Sequence, residues 1–151
     1  MAVSMDLLNT LRRGIDCCRR GDWNEGLRHL AQIAERGDTG LPGVYYSYLG
    51  YGIALREKRV REGLQLCRHS VKVEFYQADN YHNLARTCIL ARQRSAAVRA
   101  VLDGLKIDPH HSGLLLVRKE LGIRSRPVLP FLDRGHALNQ FLGRIRHAIR
   151  G

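Results

Sequence analysis

The chain is short of the residue patterns that announce chemistry. Its four cysteines, Cys17, Cys18, Cys67 and Cys88, form no CxxC pair, which argues against a zinc ribbon or a thioredoxin-like centre and favours reduced thiols in a cytoplasmic compartment. The seven histidines, His29, His69, His82, His110, His111, His136 and His147, make no HxxxH or HExxH pattern with a carboxylate on one helical face, so no metal is expected. No glycine-rich phosphate loop is present, and neither Asp16 nor Asp22 stands beside a histidine, so no catalytic set and no cofactor are expected. Aromatic residues are sparse, with one tryptophan, Trp23. No apolar run approaches the ~18 residues of a spanning helix. Asp6 interrupts the stretch that a secretory leader keeps apolar, so a leader is not expected either.

Arginine is abundant: 21 of the 25 basic residues are Arg, and the net charge is +11. Residues 118–151 carry +6 of it and the other 117 residues +5. Such a balance favours acidic partners or anionic polymers in general. The preference for arginine over lysine, with short loops, fits a bacterial protein. A length of 151 residues with 44% hydrophobic and 26% charged residues suits a single globular domain with a sizeable core.

Small residues recur at a near-constant interval. YHNLARTCILARQRSAAVRAVLDGLKIDP, residues 81–109, reads as two amphipathic helices joined by ARQRS and stopped by Pro109. It resembles the tetratricopeptide repeat (TPR), with Tyr81, Leu84, Ala85, Cys88, Ala97, Val101, Gly104 and Pro109 at the motif's places. A step of 34 residues back takes Ala97 to Gly63, Val101 to Cys67 and Cys88 to Ala54; a further 37 reaches Gly26, Leu30 and Cys17. The glycines and proline of RGDTGLPG can absorb the three extra residues. The expected helices are 4–19, 22–35, 42–57, 60–74, 78–91 and 94–107, in repeats at about 7–40, 44–77 and 78–111. Gly14, Gly26, Ala54, Gly63, Ala85 and Ala97 then let paired helices approach. In the second repeat Leu49-Gly50 competes as the Leu–small pair, which shifts that helix by one residue. Cys17, Cys67 and Cys88 read as core residues, Cys18 as an exposed neighbour, and Trp23 as a packing residue at a helix start.

After His110-His111, HSGLLLVRKELG reads as the first helix of a truncated fourth repeat within residues 1–121. Residues 122–151 form a proline-containing linker and a basic amphipathic helix. That helix is expected to begin at Asp133, with Leu138, Phe141, Leu142, Ile145 and Ile149 in one stripe. Val128, Leu129, Phe131 and Leu132 are expected to lie along the array. The stripe suits a cap that closes the open end of a solenoid. The alternative is a membrane-surface or nucleic-acid accessory acting through this helix and its Arg144, Arg146 and Arg150. A nucleic-acid role is not favoured, because aromatic interleaving and a helix-turn-helix pattern are missing.

The resemblance implies an all-α, right-handed TPR-like superhelix of antiparallel pairs with C-terminal capping helices. It also implies a noncatalytic scaffold whose first helices line a groove for a peptide or partner helix, here preferably acidic. Carried over position by position, the groove takes Arg12 and Arg19 from the first repeat, with Leu8, Leu11 and Ile15. The second repeat gives Tyr45, Tyr48 and Arg56, with Leu49. The third gives His82, Asn83 and Arg86, with Asp79. Tyrosine supplies contact area at low entropy cost and arginine supplies forks for carboxylates. Arrays that clamp a terminal carboxylate use Lys and Asn in the first repeat, Asn in the second, and Lys and Arg in the third. The matching places here hold Leu11, Ile15, Leu49, Asp79 and Asn83, where only one amide survives, so that clamp is not expected. Homo-oligomerisation is left open.

Overall fold

The computed structural model describes residues 5–37, 39–124 and 137–150. These residues form eight helices and no strand: α1 (Met5–Arg19), α2 (Trp23–Glu35), α3 (Gly43–Arg56), α4 (Val60–Val73), α5 (Ala78–Leu90), α6 (Arg94–Ile107), α7 (Ser112–Glu120) and α8 (Ala137–Arg150). The chain divides into two units, residues 1–121 and 122–151. In the second unit α8 is the helix that the apolar stripe predicts. The expected cap at Asp133 and the expected course of Val128, Leu129, Phe131 and Leu132 lie outside the described residues.

In the first unit α1–α2, α3–α4 and α5–α6 are helical hairpins with three-residue turns, and α7 packs on α5 and α6 as the opening of a fourth pair. The first turn is a glycine solution: Gly21 sits at φ 87°, its amide donating to the Cys18 carbonyl and that of Asp22 to the Cys17 carbonyl, a Schellman cap. Arg92 repeats this geometry at φ 57°, its amide donating to the Ile89 carbonyl and that of Gln93 to the Cys88 carbonyl. Across the array α1 packs on α3, α3 on α5 and α5 on α7, whereas among the described residues no second helix packs on another. The first helices are therefore crowded together and form the inner face; the second helices form the outer one.

Each hairpin closes over small residues. A Cβ on Gly26 would lie 2.9 Å from the Gly14 carbonyl oxygen, and one on Gly50 would lie 2.7 Å from the Gly63 carbonyl oxygen. The second repeat thus takes the Leu49-Gly50 register, because α3 makes its close approach one residue earlier than a strict 34-residue step gives. Gly26 also faces the Cys18 sulfur. That corrects the expectation for Cys18: it is 2% exposed and lies in the core with Leu11, Ile15, Leu30 and Tyr48. Burial pushes its thiol up to about 12. Cys17, Cys67 and Cys88 are buried as well.

Candidate functional site

The first-helix face is organised by a carboxylate. Asp79 stands in the first turn of α5, where the helix dipole favours negative charge. Arg19, at the end of α1, donates from Nη2 to Asp79 Oδ2 at 2.5 Å and from Nε to the Tyr48 hydroxyl at 3.0 Å. The Tyr48 hydroxyl, from the middle of α3, donates in turn to Asp79 Oδ2 at 2.9 Å. His111, the N-cap residue of α7, lies with Nε2 2.7 Å from Asp79 Oδ1. Its Nδ1 accepts the Leu114 amide at 3.2 Å, so Nε2 carries the proton and donates to the carboxylate. One carboxylate thus joins four successive first helices.

Burial alone raises the Asp79 carboxyl, but hydrogen bonds from Arg19, His111 and Tyr48 outweigh it and hold the group below its ordinary range. The hydrogen bond to Asp79 also holds the Arg19 guanidinium firmly charged. Burial and the Asp79 charge push the Tyr48 phenol up. The Arg19 guanidinium carbon lies 5.9 Å from the centre of the Tyr48 ring, and Trp23 stacks on that ring's neighbourhood at 6.3 Å.

A second arginine on this face is engaged in a different way. Arg86 of α5 grips Glu120 of α7 through two bonds, Nη1 to Oε2 at 2.7 Å and Nη2 to Oε1 at 3.2 Å. Between the two pairs sits His82, whose ring centre is 5.6 Å from that of His111. A Cβ on Gly113 would come within 2.8 Å of His82 Nε2, so this glycine is what lets α7 lie over the imidazole. Burial, then the positive charge of Arg86 and the neighbouring His111, lower the His82 pKa to about 4. The ring is neutral at pH 7.

The eight residues expected along the groove are distributed unevenly. Arg19 and Tyr48 are joined directly, and Asp79 and His111 connect them to the neighbourhood of His82 and Arg86. Arg12 is exposed and makes no ion pair with a described residue. Tyr45 and Asn83 do not line an open surface, because α3 is wedged between α1 and α5. Tyr45 packs in the core of the first two helices, with its hydroxyl donating to the Leu30 carbonyl at 3.5 Å, and Asn83 Nδ2 donates to Ser47 Oγ at 3.2 Å. Arg56 turns toward the preceding hairpin, with Nε donating to Asn24 Oδ1 at 3.1 Å. Asp79 was expected along the groove but not as a hub, and neither His111 as its partner nor Glu120 as the partner of Arg86 was expected from the sequence. Their signal is faint but present: Arg19, Tyr48 and His111 reach residues 29 to 32 positions away, close to one repeat.

His111 and Asp79 have the geometry of an oriented imidazole, but no hydroxyl or thiol nucleophile is hydrogen-bonded to His111 among the described residues, and the four thiols are buried. No group of three or more metal-ligating side chains occurs among the described residues.

This arrangement of hairpins has known counterparts. The TPR domain of OM64 from Arabidopsis superposes with a TM-score of 0.61 at 13% identity, covering 77% of this chain and 93% of that one. The fold is that of a TPR array. The first TPR domain of Spaghetti (RPAP3), solved bound to the HSP90 peptide SRMEEVD, gives a TM-score of 0.62 at 12% identity, with 80% of this chain and 94% of that one covered. No family model and no curated sequence matches the chain.

Proposed function

We propose that this TPR array is a noncatalytic scaffold that holds a segment of a partner protein, preferably an acidic one, on its first-helix face. The observation that carries the reading is the Arg19–Tyr48–Asp79–His111 network, which fixes four successive first helices into a preorganised wall. A TPR neighbour that holds the acidic peptide SRMEEVD supports the class of partner, and the net charge of +11 supports its sign.

Two cations suit an incoming carboxylate. Arg12 is exposed and without an ion pair among the described residues, and Arg86 is already shaped into a carboxylate fork by Glu120. Glu120 is 42% exposed, whereas Asp79 is 17% exposed. A partner's carboxylate therefore displaces Glu120 more readily than Asp79, and Arg86 is more easily freed than Arg19. The four unpaired thiols support a reducing, cytoplasmic setting; no described helix is long and apolar enough to cross a membrane.

The test is calorimetric binding of fluorophore-free heptapeptides graded in net charge from −4 to +2, with wild type against the double variant Arg12→Gln, Arg86→Gln. Affinity rises with peptide acidity in the wild type, and the double variant loses roughly tenfold for the most acidic peptide, the worth of one good charged contact. Affinity that ignores peptide charge, or that survives the double substitution unchanged, rejects the acidic groove.

A further inference from the structure

The outer face has the opposite character to the groove. Helices α4 and α6, with the turn at 91–93, carry seven Lys/Arg residues against two acids, Glu62 and Asp103. Both acids are already engaged at the helix surface, Glu62 by Arg59 and Asp103 by Lys106. Arg61, Arg68, Lys72, Arg92 and Arg99 are exposed and have no carboxylate partner among the described residues.

Three of these five charges share one face of α4. Arg61, Arg68 and Lys72 stand at i, i+7 and i+11 on α4, one stripe about 16 Å long at 1.5 Å per residue. Arg68 Nη2 donates to Gln93 Oε1 at 3.1 Å, which brings the stripe against the turn that holds Arg92. Arg68 and Arg99 both oppose the upward push of burial on the Cys88 thiol, so the α4 and α6 arginines approach the same buried residue. Between the charges lie Gln65, Gln93 and Ser95, all exposed and polar.

A protein-binding surface is centred on apolar or aromatic anchors from which charge is depleted. Val73, Leu102 and Ile107 are exposed on these helices, but the α4 stripe and the 91–93 turn themselves present cations and amides. A phosphate backbone asks for nothing more: guanidinium forks at its oxygens, with counterion release as the driving force. At 3.4 Å of rise per phosphate in one strand, a stripe of about 16 Å covers about five phosphates.

We infer that the outer face formed by α4, α6 and the turn between α5 and α6 binds the phosphate backbone of nucleic acid without reading its sequence. This stands apart from the groove and does not depend on it. It departs from the expectation drawn from the sequence, which weighed only the terminal helix for this task.

Fluorescence anisotropy tests it, with labelled 20-nucleotide strands and 20-base-pair duplexes of two unrelated sequences, at 50 to 200 mM salt. Binding is expected at 50 mM, alike for both sequences, with log K falling linearly in log salt. Arg68→Gln with Arg99→Gln weakens it about tenfold and flattens the slope by about 1.4 to 1.8, two contacts at 0.7 to 0.9 each. A charge-matched control on the first hairpin, Arg13→Gln with Arg20→Gln, changes it less than about twofold; thermal melts of both variants confirm that the fold is kept. No binding at 50 mM salt overturns the inference, and so does an equal loss in the two double variants. Polyglutamate or phosphatidylserine vesicles that bind through Arg68 and Arg99 while the oligonucleotides do not would assign the face to a different partner and also overturn it.

Discussion

On the first helices Arg19 and Arg86 each end on a carboxylate, while on the second helices Arg61 and Arg99 meet none. The two faces belong to the same hairpins, so composition does not explain the contrast; solvation does. Where α1, α3, α5 and α7 crowd together, polar groups lose water and each needs a partner inside the chain. On the second helices Arg28 pairs with Glu25 and Arg94 with the Leu121 carbonyl, but the exposed Arg61 and Arg99 stay in water. The inner face is therefore a structural element first and a recognition surface second, and the outer face is free to take up an external charge.

The contrast exists only because each hairpin holds its two helices in tight register, and the most severe way to break it is at that contact. A Cβ on Gly63 collides with the Gly50 carbonyl oxygen and lies 2.8 Å from the Ala54 Cβ. Neither atom is the end of a flexible side chain. Gly63→Ala is expected to cost about 3 kcal/mol or more, the upper range for overpacking, and to lower the thermal midpoint on the order of 10 °C. Gly21→Ala is its calibrated opposite: nothing lies within 4 Å of that Cβ, and only the positive φ is strained. It is expected to cost about 1 kcal/mol. Equal shifts for the two would mean that the hairpins are not held by close approach.

Acid distinguishes the faces next. His82 titrates at about 4 in the folded chain against an ordinary 6.5. Its pKa is depressed, so the unfolded chain takes the proton first: stability is untouched above pH 6.5 and falls as the pH drops toward 4. At about 1.36 kcal/mol per unit the loss is on the order of 3 kcal/mol. Asp79 adds to it in the same direction, since its stabilisation is lost as the pH falls through its own lowered value. Urea melts at pH 7 and pH 4.5 measure the loss, and His82→Phe is expected to remove most of it. An unchanged pH dependence in that variant would place the acid sensitivity elsewhere.

Asp79→Asn probes the inner face at neutral pH. It keeps the size of the group but removes the charge that Arg19, Tyr48 and His111 converge on. Hydrogen bonds to a charged group contribute roughly 1.5–3 kcal/mol net, and because the amide keeps part of the bonding a loss of about 2 kcal/mol is expected in a denaturant melt.

How far these features were legible in the sequence follows from their periodicity. Gly14 with Gly26, and Ala85 with Ala97, recur at matching spacings, and together with the amphipathic pattern and Pro109 they made the fold and the helix boundaries readable. Gly50 was ambiguous because α3 runs one residue longer between its small position and its turn than α1 or α5 does. Cys18 was misplaced for a related reason: its burial depends on Gly26 in the next helix, not on its own helix's pattern. Asp79, His111 and Glu120 form their contacts across repeats that differ in residue type, so no single-repeat motif reveals them. The groove positions of Tyr45 and Asn83 shifted inward because a wedge between two neighbouring helices buries more of α3 and α5 than a lone helical wheel displays.

Glu120→Gln is a gentler probe. The pair with Arg86 is partly exposed, so its loss is expected to change stability by less than about 1 kcal/mol. Its effect belongs to binding: the Arg86 fork is released, and affinity for an acidic peptide rises severalfold. Affinity that falls instead would identify Glu120 as part of the recognised surface and not as a stand-in for the ligand.

The smallest effect is the most discriminating for the outer face. Arg68→Gln with Arg99→Gln removes two exposed charges that share a neighbourhood with other cations and have no carboxylate to lose. The hydrogen bond from Arg68 to Gln93 is the one described polar contact at stake. Stability is expected to stay within about 0.5 kcal/mol of wild type, and to shift upward slightly at low salt, where like charges repel over a longer range. A loss above about 1 kcal/mol in a melt at 50 mM salt would return these arginines to the scaffold and erase the difference between the two faces.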